Sequence, residues 1–296
     1  MLNILRKKPP AQASGAEASV PRVVIEPTKG IARLNLVELW QYRELLFFLT
    51  LRDIKVRYKQ TALGVTWALL QPLGMMVVFS IFFGKLANMP SEGIAYPIFV
   101  FCGLLPWQLF SRSLTEAANS VVMDQRLITR VYFPRLIVPM TSVLAALVDF
   151  VIAFVIFVGM MVYYGVLPTT AIWALPLFMI LMLMTGLGMG LWLAALNVEF
   201  RDVRYVLPFM AQMWLFVTPV VYPSSLLSDK WQIVYGLNPM AGVVEGFRWA
   251  LLGVGPGPGP LIAVSAGISI LLFVTGIIFF RQREKTFADV VGSGGR

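Results

Sequence analysis

The chain has 296 residues, of which 58% are hydrophobic and only 13% are charged, and its formal net charge is +9. Soluble domains carry about 25% charged residues, so this composition is that of an integral membrane protein. Several apolar runs reach the ~20 residues that a helix needs to cross a bilayer, and no alternating β-barrel pattern is seen. The absence of histidine and the single cysteine, Cys102, exclude a Ser-His-Asp triad, a zinc site and an intrachain disulfide.

Residues 1–34 are predicted to form a flexible cytoplasmic tail. Basic residues occur near the start, but no apolar stretch follows them, so they do not have the pattern of a cleavable signal peptide. Residues 9–30 are rich in Ala, Pro and Ser, a composition that is typical of segments without a packed core.

Residues 35–61 predict an amphipathic helix followed by a loop at the depth of the lipid headgroups. Apolar side chains recur at helical spacing on one face, namely Leu36, Trp40, Phe47, Leu51, Ile54 and Tyr58. Leu45 and Val56 fall on the opposite, polar side. We expect this helix to lie in the membrane interface, the alternative being a helix packed on a soluble domain.

Residues 62–281 predict six transmembrane helices, so the fold class is an all-α integral membrane protein. The six apolar runs are residues 62–84, 94–111, 136–164, 171–196, 205–222 and 261–280. Residues 223–260 contain apolar runs that are too short to cross a bilayer, and they predict external re-entrant helices beside a pore or a lateral opening.

The basic residues are distributed unevenly between the two sides of this predicted topology. If the six spans alternate in direction, nearly all of the 24 Lys and Arg residues fall on one side. The positive-inside rule makes that side cytoplasmic, with both termini and the 282–296 tail. The same rule explains the net charge, so no nucleic-acid partner is predicted.

The basic segment 119–139, between the second and third predicted spans, is then cytoplasmic as well. It carries Arg126, Arg130 and Arg135 and is interrupted by proline. A basic segment of this kind is a poor fit to lipid, so we expect it to be a protrusion that a cytoplasmic motor subunit grips.

The sequence carries few signs of enzymatic chemistry. The chain contains no GxxxxGK[ST] loop, no GxGxxG after a strand and no CxxC pair, so no cofactor is predicted in this chain. Asp149 is the one acid inside a predicted span, and it is either a functional group or a structural partner for a hydrogen bond or a basic side chain. Glu199, Arg201, Asp202 and Arg204 occur in a short loop and suggest a local ion-pair network at a helix junction rather than an acid–base pair.

The run Arg57, Tyr58, Lys59, Gln60 and Thr61 is a candidate site for a lipid headgroup. Basic groups at this depth attract anionic phosphate by about 1 kcal/mol each. A hydroxyl and the backbone amides of a helix start can add hydrogen bonds to a phosphate. Ordinary positive-inside anchoring of the helix explains the same charges equally well.

Aromatic side chains are dense in the first and fifth predicted spans. They are Phe79, Phe82, Phe83, Phe209, Trp214, Phe216 and Tyr222. Aromatic rings offer flat faces to sugar rings, while an interfacial belt or core packing is the more common explanation.

Four separated motifs resemble, in the same order, those of the type-2 ABC permeases of polysaccharide export, a family that includes O-antigen, capsule and teichoic acid exporters. They are LRDIKVRYKQTALGVTWALLQP at 51–72, VYFPRLIVP at 131–139, NVEFRDV at 197–203 and LNPM at 237–240. The resemblance covers about residues 36–280. It implies a homodimer in the bacterial inner membrane that forms a channel for a lipid-linked glycan. Two copies of a separate ATPase subunit, which bind the ATP and Mg, would drive it.

The resemblance also implies roles for individual residues. Arg57 to Thr61 match the loop that meets the lipid pyrophosphate, and the first and fifth spans line the channel, which makes their aromatic residues candidate sugar contacts. Contacts with the ATPase are implied for Met123, Asp124, Gln125, Arg126, Leu127, Ile128, Glu199, Arg201 and Asp202.

Three other functions compete with this one. A secondary transporter would show inverted repeats and coupling charges, and only Asp149 fits that pattern. A membrane-embedded glycosyl- or acyltransferase would need a base or a metal site. The nearest competitor is a type-2 ABC permease for drugs or free lipids.

Overall fold

The computed structural model describes residues 36–59, 66–200, 202–255, 257–284 and 287, and all regular structure in these ranges is helical. The α-helices are α1 Leu36–Gln41, α2 Arg43–Lys59, α3 Thr66–Phe79, α4 Tyr96–Met123, α5 Gln125–Arg130, α6 Ile137–Tyr164, α7 Leu175–Glu199, α8 Val203–Val217, α9 Asp229–Tyr235, α10 Pro239–Leu252 and α11 Pro260–Arg283. Short 3₁₀ turns cover Thr170–Ala174 and Ser224–Leu226.

Within the described ranges, five helical segments are long and apolar enough to cross a membrane. They are Leu69–Leu86, Tyr96–Met123, Ile137–Tyr164, Thr170–Glu199 and Pro260–Arg283. The predicted fifth span corresponds to α8, which has 15 residues and is about 22 Å long, shorter than the ~30 Å of a bilayer core. Five of the six predicted spans are therefore confirmed as candidates, and the fifth span stays a prediction.

The second span is longer than the sequence predicts. Helix α4 continues to Met123, twelve residues past the predicted end at 111, and Pro106 lies inside it. A proline removes one hydrogen bond from a helix without necessarily ending it when neighbouring helices support the backbone. The extension brings Arg112 and Glu116 onto the same helix as the apolar span.

The last turn of the first span is wider than an α-helix. Residues Ser80–Leu86 continue α3 as a π-helix, and the amide of Ala87 donates to the carbonyl of Phe82, five residues earlier, at 3.0 Å. A π-helical turn holds one residue more than the α-helical turn that it replaces.

Helix α4 is the central helix of the bundle and packs most extensively on α6 and α7. Its side chains are buried along most of its length, and Phe101 stacks on Phe157 of α6 with 6.2 Å between ring centroids. Helix α7 packs closely on α11, where a Cβ on Gly188 would lie only 2.6 Å from Phe273 Cα. The glycines near the end of this span thus permit the close helix packing that the sequence suggests.

One end of the bundle gathers the segments that the sequence predicts to be cytoplasmic. Leu49 of α2, Ile128 of α5 and Phe280 of α11 belong to one apolar cluster there, together with the buried ring of Phe287. This grouping agrees with consecutive spans that alternate in direction. The membrane side that each end faces stays a prediction.

The opposite end contains the region that the sequence predicts to be re-entrant. Helix α10 is buried along nearly its whole length and packs on α4, α7 and α11. Its end at Gly253 has a φ of +71°, a backbone conformation that glycine adopts at low cost. Two short helices thus occur between α8 and α11, as predicted, while their depth in a membrane stays a prediction.

Candidate functional site

The side of helix α2 that packs on the bundle differs from the apolar face that the sequence predicts. Leu45 and Leu46 contact the apolar cluster, and Leu49 is buried in it. Leu45 belongs to the predicted polar side, whereas Trp40 and Phe47 of the predicted apolar face are exposed. Exposed apolar residues are what a face turned to the membrane interface would show, so the interfacial position of this face stays a prediction. Helix α2 carries apolar side chains on two sides, one packed on the bundle and one exposed. A single predicted apolar face describes only one of these sides.

Charged side chains from three helices meet where the last turn of α2 contacts α4 and α6. We call this group the Asp149 cluster, and it consists of Arg57, Tyr58, Arg112, Glu116 and Asp149. Arg57 donates to Asp149 and to Glu116 through different guanidinium nitrogens. Arg112 donates to the same oxygen of Asp149, and the hydroxyl of Tyr58 donates to the other.

This geometry supports the structural one of the two explanations that the sequence leaves open for Asp149. The carboxylate is a structural partner of basic side chains, and these are Arg57 and Arg112. Burial and the hydrogen bond to Asp149 raise the pKa of Tyr58 above its ordinary value. The phenol therefore stays protonated at physiological pH and remains a donor.

The residues of the predicted headgroup run have different surroundings in this arrangement. Arg57 and Tyr58 face the bundle, whereas Lys59 is exposed at the end of α2. Gln60 and Thr61 lie outside the described residues. Of the run that the structure describes, Lys59 is the side chain best placed to meet a group outside the protein.

A cavity of about 360 Å³ lies beside the Asp149 cluster, between α3, α4 and α6. Its polar lining includes Gln71, Gln108, Ser111, Thr115, Arg112, Glu116 and Asp149, and its apolar lining includes Met75, Leu105 and Phe150. Arg112 also donates to Gln71 of α3 at 3.4 Å. The cavity thus joins a charged end to an apolar end.

The predicted coupling segment covers the end of α4, the turn at Asp124 and the first part of α5. Met123, Gln125 and Arg126 are exposed, while Ile128 is buried in the apolar cluster and Leu127 packs against it. Asp124 accepts a hydrogen bond from Arg52 of α2 at 2.7 Å. The inward residues therefore hold α5 on the bundle, and the outward residues are accessible to a partner.

The second predicted coupling loop lies at the end of α7. Glu199 pairs with Arg283 of α11, and Asp202 is exposed just before α8. Arg201 lies outside the described residues. Arg135 donates to the backbone carbonyl of Glu284, so the residue that follows α11 contacts the chain just before α6.

The aromatic residues of α3 and its extension differ in exposure. Phe79 is buried and contacts Phe83 edge to face, with 5.7 Å between ring centroids. Phe82 is 58% exposed, and Phe83 is half-buried. Of the three phenylalanines in this segment that are predicted to contact sugar, Phe82 alone is more than half exposed.

The aromatic residues of α8 also differ in exposure. Phe209 and Phe216 are exposed. Trp214 packs on Phe110 at 5.3 Å, and its indole nitrogen donates to Asn238 at 3.0 Å. Trp214 therefore helps to hold α8 on the bundle.

Tyr222 lies in the connection that follows α8. Its hydroxyl is 2.6 Å from that of Tyr235 in α9 and donates to the carbonyl of Phe216 at 3.1 Å. These hydrogen bonds tie the connection to both neighbouring helices.

The sequence did not predict the most deeply buried ion pair among the described residues, which Glu245 and Arg248 form in α10 at 3.3 Å. Arg248 also donates to the carbonyl of Val220 at 2.6 Å. The available signal was an acid and a base three residues apart inside an apolar run, a spacing that lets them meet on a helix. Among the described residues, no group of acids and cysteines could hold a metal ion.

These features define a multi-helix membrane protein whose charged contacts concentrate at one end. Residues 44–252 match the family described as ABC-2 type transporter. Because the match covers more than half of the chain, the chain belongs to this family, which confirms the family resemblance seen in the sequence.

Several relatives carry names that describe polysaccharide export. The chain is 33% identical over 259 residues to "O-antigen export system permease protein RfbA" of Myxococcus xanthus, covering 86% of this chain and 98% of the relative. It is 26% identical over 249 residues to the protein of the same name from Klebsiella pneumoniae, covering 84% and 95%. It is 24% identical over 242 residues to "Polysialic acid transport protein KpsM" of Escherichia coli, covering 80% and 92%.

Proposed function

We propose that this chain is the transmembrane permease subunit of an ATP-driven exporter that moves a lipid-linked polysaccharide across a bacterial inner membrane. The observation that carries the proposal is the similarity, over 80–86% of the chain, to relatives named for O-antigen export and polysialic acid transport. These names share one class of substrate, a polysaccharide, although the identities range from 33% down to 24%.

The energy for transport comes from a separate ATPase subunit that binds ATP and Mg. Two copies of this subunit dock at the end of the bundle that carries α5, and the chain itself is not an enzyme. Gln125 and Arg126 of α5 are exposed, as is Met123 at the end of α4, while buried Ile128 holds α5 on the bundle. These positions support α5 as the docking element. A short helix with a fixed inner face and a free outer face fits a groove in a partner.

Two copies of the chain form the channel. The exposed rings of Phe82, Phe209 and Phe216 support α3 and α8 as its lining, because flat rings allow sugars to slide without a strong demand on their identity. Phe79 is buried and Trp214 packs on α4, so neither is assigned to the lining. The membrane arrangement has six spans, an interfacial α2, re-entrant α9 and α10, and both termini in the cytoplasm.

The first experiment is a co-purification with an ATPase assay. The tagged chain is isolated in mild detergent from membranes that also contain the candidate ATPase subunit, and the pair is placed in liposomes. We expect a stoichiometric ATP-binding partner and a turnover that lipid-linked glycan stimulates. A lone protein without ATP turnover would contradict the proposal and favour a secondary transporter.

A permease for another amphiphile, such as a free lipid or a drug, is the second candidate. The cavity beside the Asp149 cluster favours it, because a charged end joined to an apolar end suits many amphiphiles. Stimulation by amphiphilic drugs, with no response to lipid-linked glycan, would favour this candidate over polysaccharide export.

A further inference from the structure

Asp149 accepts hydrogen bonds from three side chains of two different helices. One of its oxygens accepts from Arg57 and Arg112, and the other accepts from Tyr58. The residue is only 9% exposed, and the two guanidinium groups balance the charges of Asp149 and Glu116. A carboxylate that is largely occupied in this way is suited to hold side chains in place rather than to carry a proton or an ion.

Two of these three donors come from the last turn of α2. Arg57 and Tyr58 point into the bundle, and the next residue, Lys59, is exposed. Lys59 forms no hydrogen bond or ion pair with any residue that the structure describes. Successive residues of a helix are about 100° apart around its axis, so fixing the directions of Arg57 and Tyr58 also fixes the direction of Lys59.

We propose that Asp149 is a positioning residue that anchors the last turn of α2 to α4 and α6 and so directs the ammonium group of Lys59 outward, toward the phosphate of a lipid-linked substrate. Arg57 is then an anchor, and Lys59 is the contact. The position of α2 follows from the geometry of the cluster, while the contact with a phosphate rests on the proposed function. The two parts need separate measurements.

The first measurement reports on the position of α2 without any substrate. The single cysteine, Cys102, is buried, so Cys102→Ala combined with Lys55→Cys leaves one accessible thiol on α2, four residues before Lys59. A nitroxide attached there reports local mobility through its electron paramagnetic resonance spectrum. We expect Asp149→Asn to narrow the spectral lines. The matched change Asp202→Asn, at an exposed acid before α8, should leave them unchanged.

An unchanged spectrum in Asp149→Asn would overturn the positioning role. If that variant fails to fold, Tyr58→Phe serves instead, because it removes one hydrogen bond to Asp149 and leaves every charge of the cluster in place. We expect the spectral lines of this variant to narrow as well, but less than those of Asp149→Asn. Unchanged lines in a folded Tyr58→Phe protein would likewise count against the proposal.

The second measurement is the KM for lipid-linked glycan in the ATPase assay of the reconstituted complex. We expect Lys59→Ala and Asp149→Asn each to raise this KM about fivefold, which corresponds to the ~1 kcal/mol that one lysine contributes at an anionic surface. The maximal rate should change less than the KM. Only Asp149→Asn should also alter the nitroxide spectrum, and Lys55→Ala should leave the KM unchanged.

The outcomes separate this inference from the proposed function. Glycan that fails to stimulate the unmodified complex would contradict polysaccharide export, while the nitroxide spectrum would still test the role of Asp149. A mobile α2 end with an unchanged KM in both variants would overturn the contact assigned to Lys59.

Discussion

The Arg248 side chain is completely buried, and its terminal guanidinium nitrogens have polar partners. It donates to the carbonyls of Val220 and Tyr222 at 2.6 and 3.2 Å. Its guanidinium lies 3.7 Å from the centroid of the Phe99 ring, a close cation–π contact. One side chain thus joins α10 to α4 and to the connection after α8.

Arg248→Met is expected to lower the stability of the protein by about 3–5 kcal/mol, because it leaves the carboxylate of Glu245 buried without its charge partner. The melting temperature of the purified protein in detergent measures the effect. Arg130→Met makes the same chemical change at an exposed position of α5 and should shift stability by no more than about 0.5 kcal/mol. Equal melting temperatures for the two variants would contradict this assignment.

Individual residues were predictable where the pattern is local and unpredictable where the partner is remote in sequence. Asp149 stands out because it is a single acid in an apolar run. The partners of Asp149 do not stand out in the sequence. Arg57 is 92 residues away, and Arg112 lies beyond the predicted end of its span. Opposite charges that meet across three helices are a property of the packing, which no single segment contains.

Helices α7 and α11 depend on glycine for their close approach. Gly188→Ala is expected to destabilise the protein by about 1–3 kcal/mol, since the new Cβ would lie 2.6 Å from Phe273 Cα and force the helices apart. The matched change Gly159→Ala in α6 meets no atom within 4 Å and should be neutral or stabilising by up to about 1 kcal/mol, because alanine favours helix. The same thermal unfolding assay compares the two, and a larger loss for Gly159→Ala would refute the role of this contact.

The ion pair between Arg52 and Asp124 connects α2 to the turn before α5. Both side chains are partly exposed, so the pair adds at most about 1 kcal/mol to stability. Its expected importance is in coupling, since it joins the proposed docking helix to the helix that carries Lys59. Arg52→Asp should lower glycan-stimulated ATP hydrolysis, and the exchanged pair Arg52→Asp with Asp124→Arg should restore part of it.

Asp53→Asn is the control for this exchange, because Arg52 also pairs with Asp53 at 2.8 Å. That variant leaves the pair with Asp124 intact and should keep the stimulation. An exchanged double variant that is no better than Arg52→Asp alone would show that the charge pair does not couple the two helices.

Whole elements were easier to predict than their faces. The five candidate spans appear because length and hydropathy alone are sufficient to identify them. The side of α2 that packs on the bundle includes Leu45, which the sequence placed on the polar side, because the residues that contact α2 are remote in sequence. The predicted end of the second span at residue 111 is also too early. Charged residues such as Arg112 and Glu116 favour a loop in the sequence, whereas in the structure they pair with other helices.

The end of the bundle that carries α5 is the proposed docking site for the ATPase subunit, and reversing the charge of Arg126 tests this. Arg126→Glu should reduce co-purification of the ATPase subunit, since Arg126 is exposed on α5 and a reversed charge repels where the original one attracts. Lys85→Glu is the matched change at the opposite end of the bundle, where Lys85 is also exposed, and it should leave the pairing intact. An equal yield of partner from both variants would argue against α5 as the docking element.

The π-helical segment Ser80–Leu86 has a consequence for insertions and deletions. Because a wide turn stores one extra residue, deleting one residue there lets the segment close to an α-helix while the flanking helix keeps its register. The same deletion in the middle of α6 would rotate every later side chain of that helix by about 100°. Removing Ile81 should therefore leave folded protein in the membrane, whereas removing Ala153 should not.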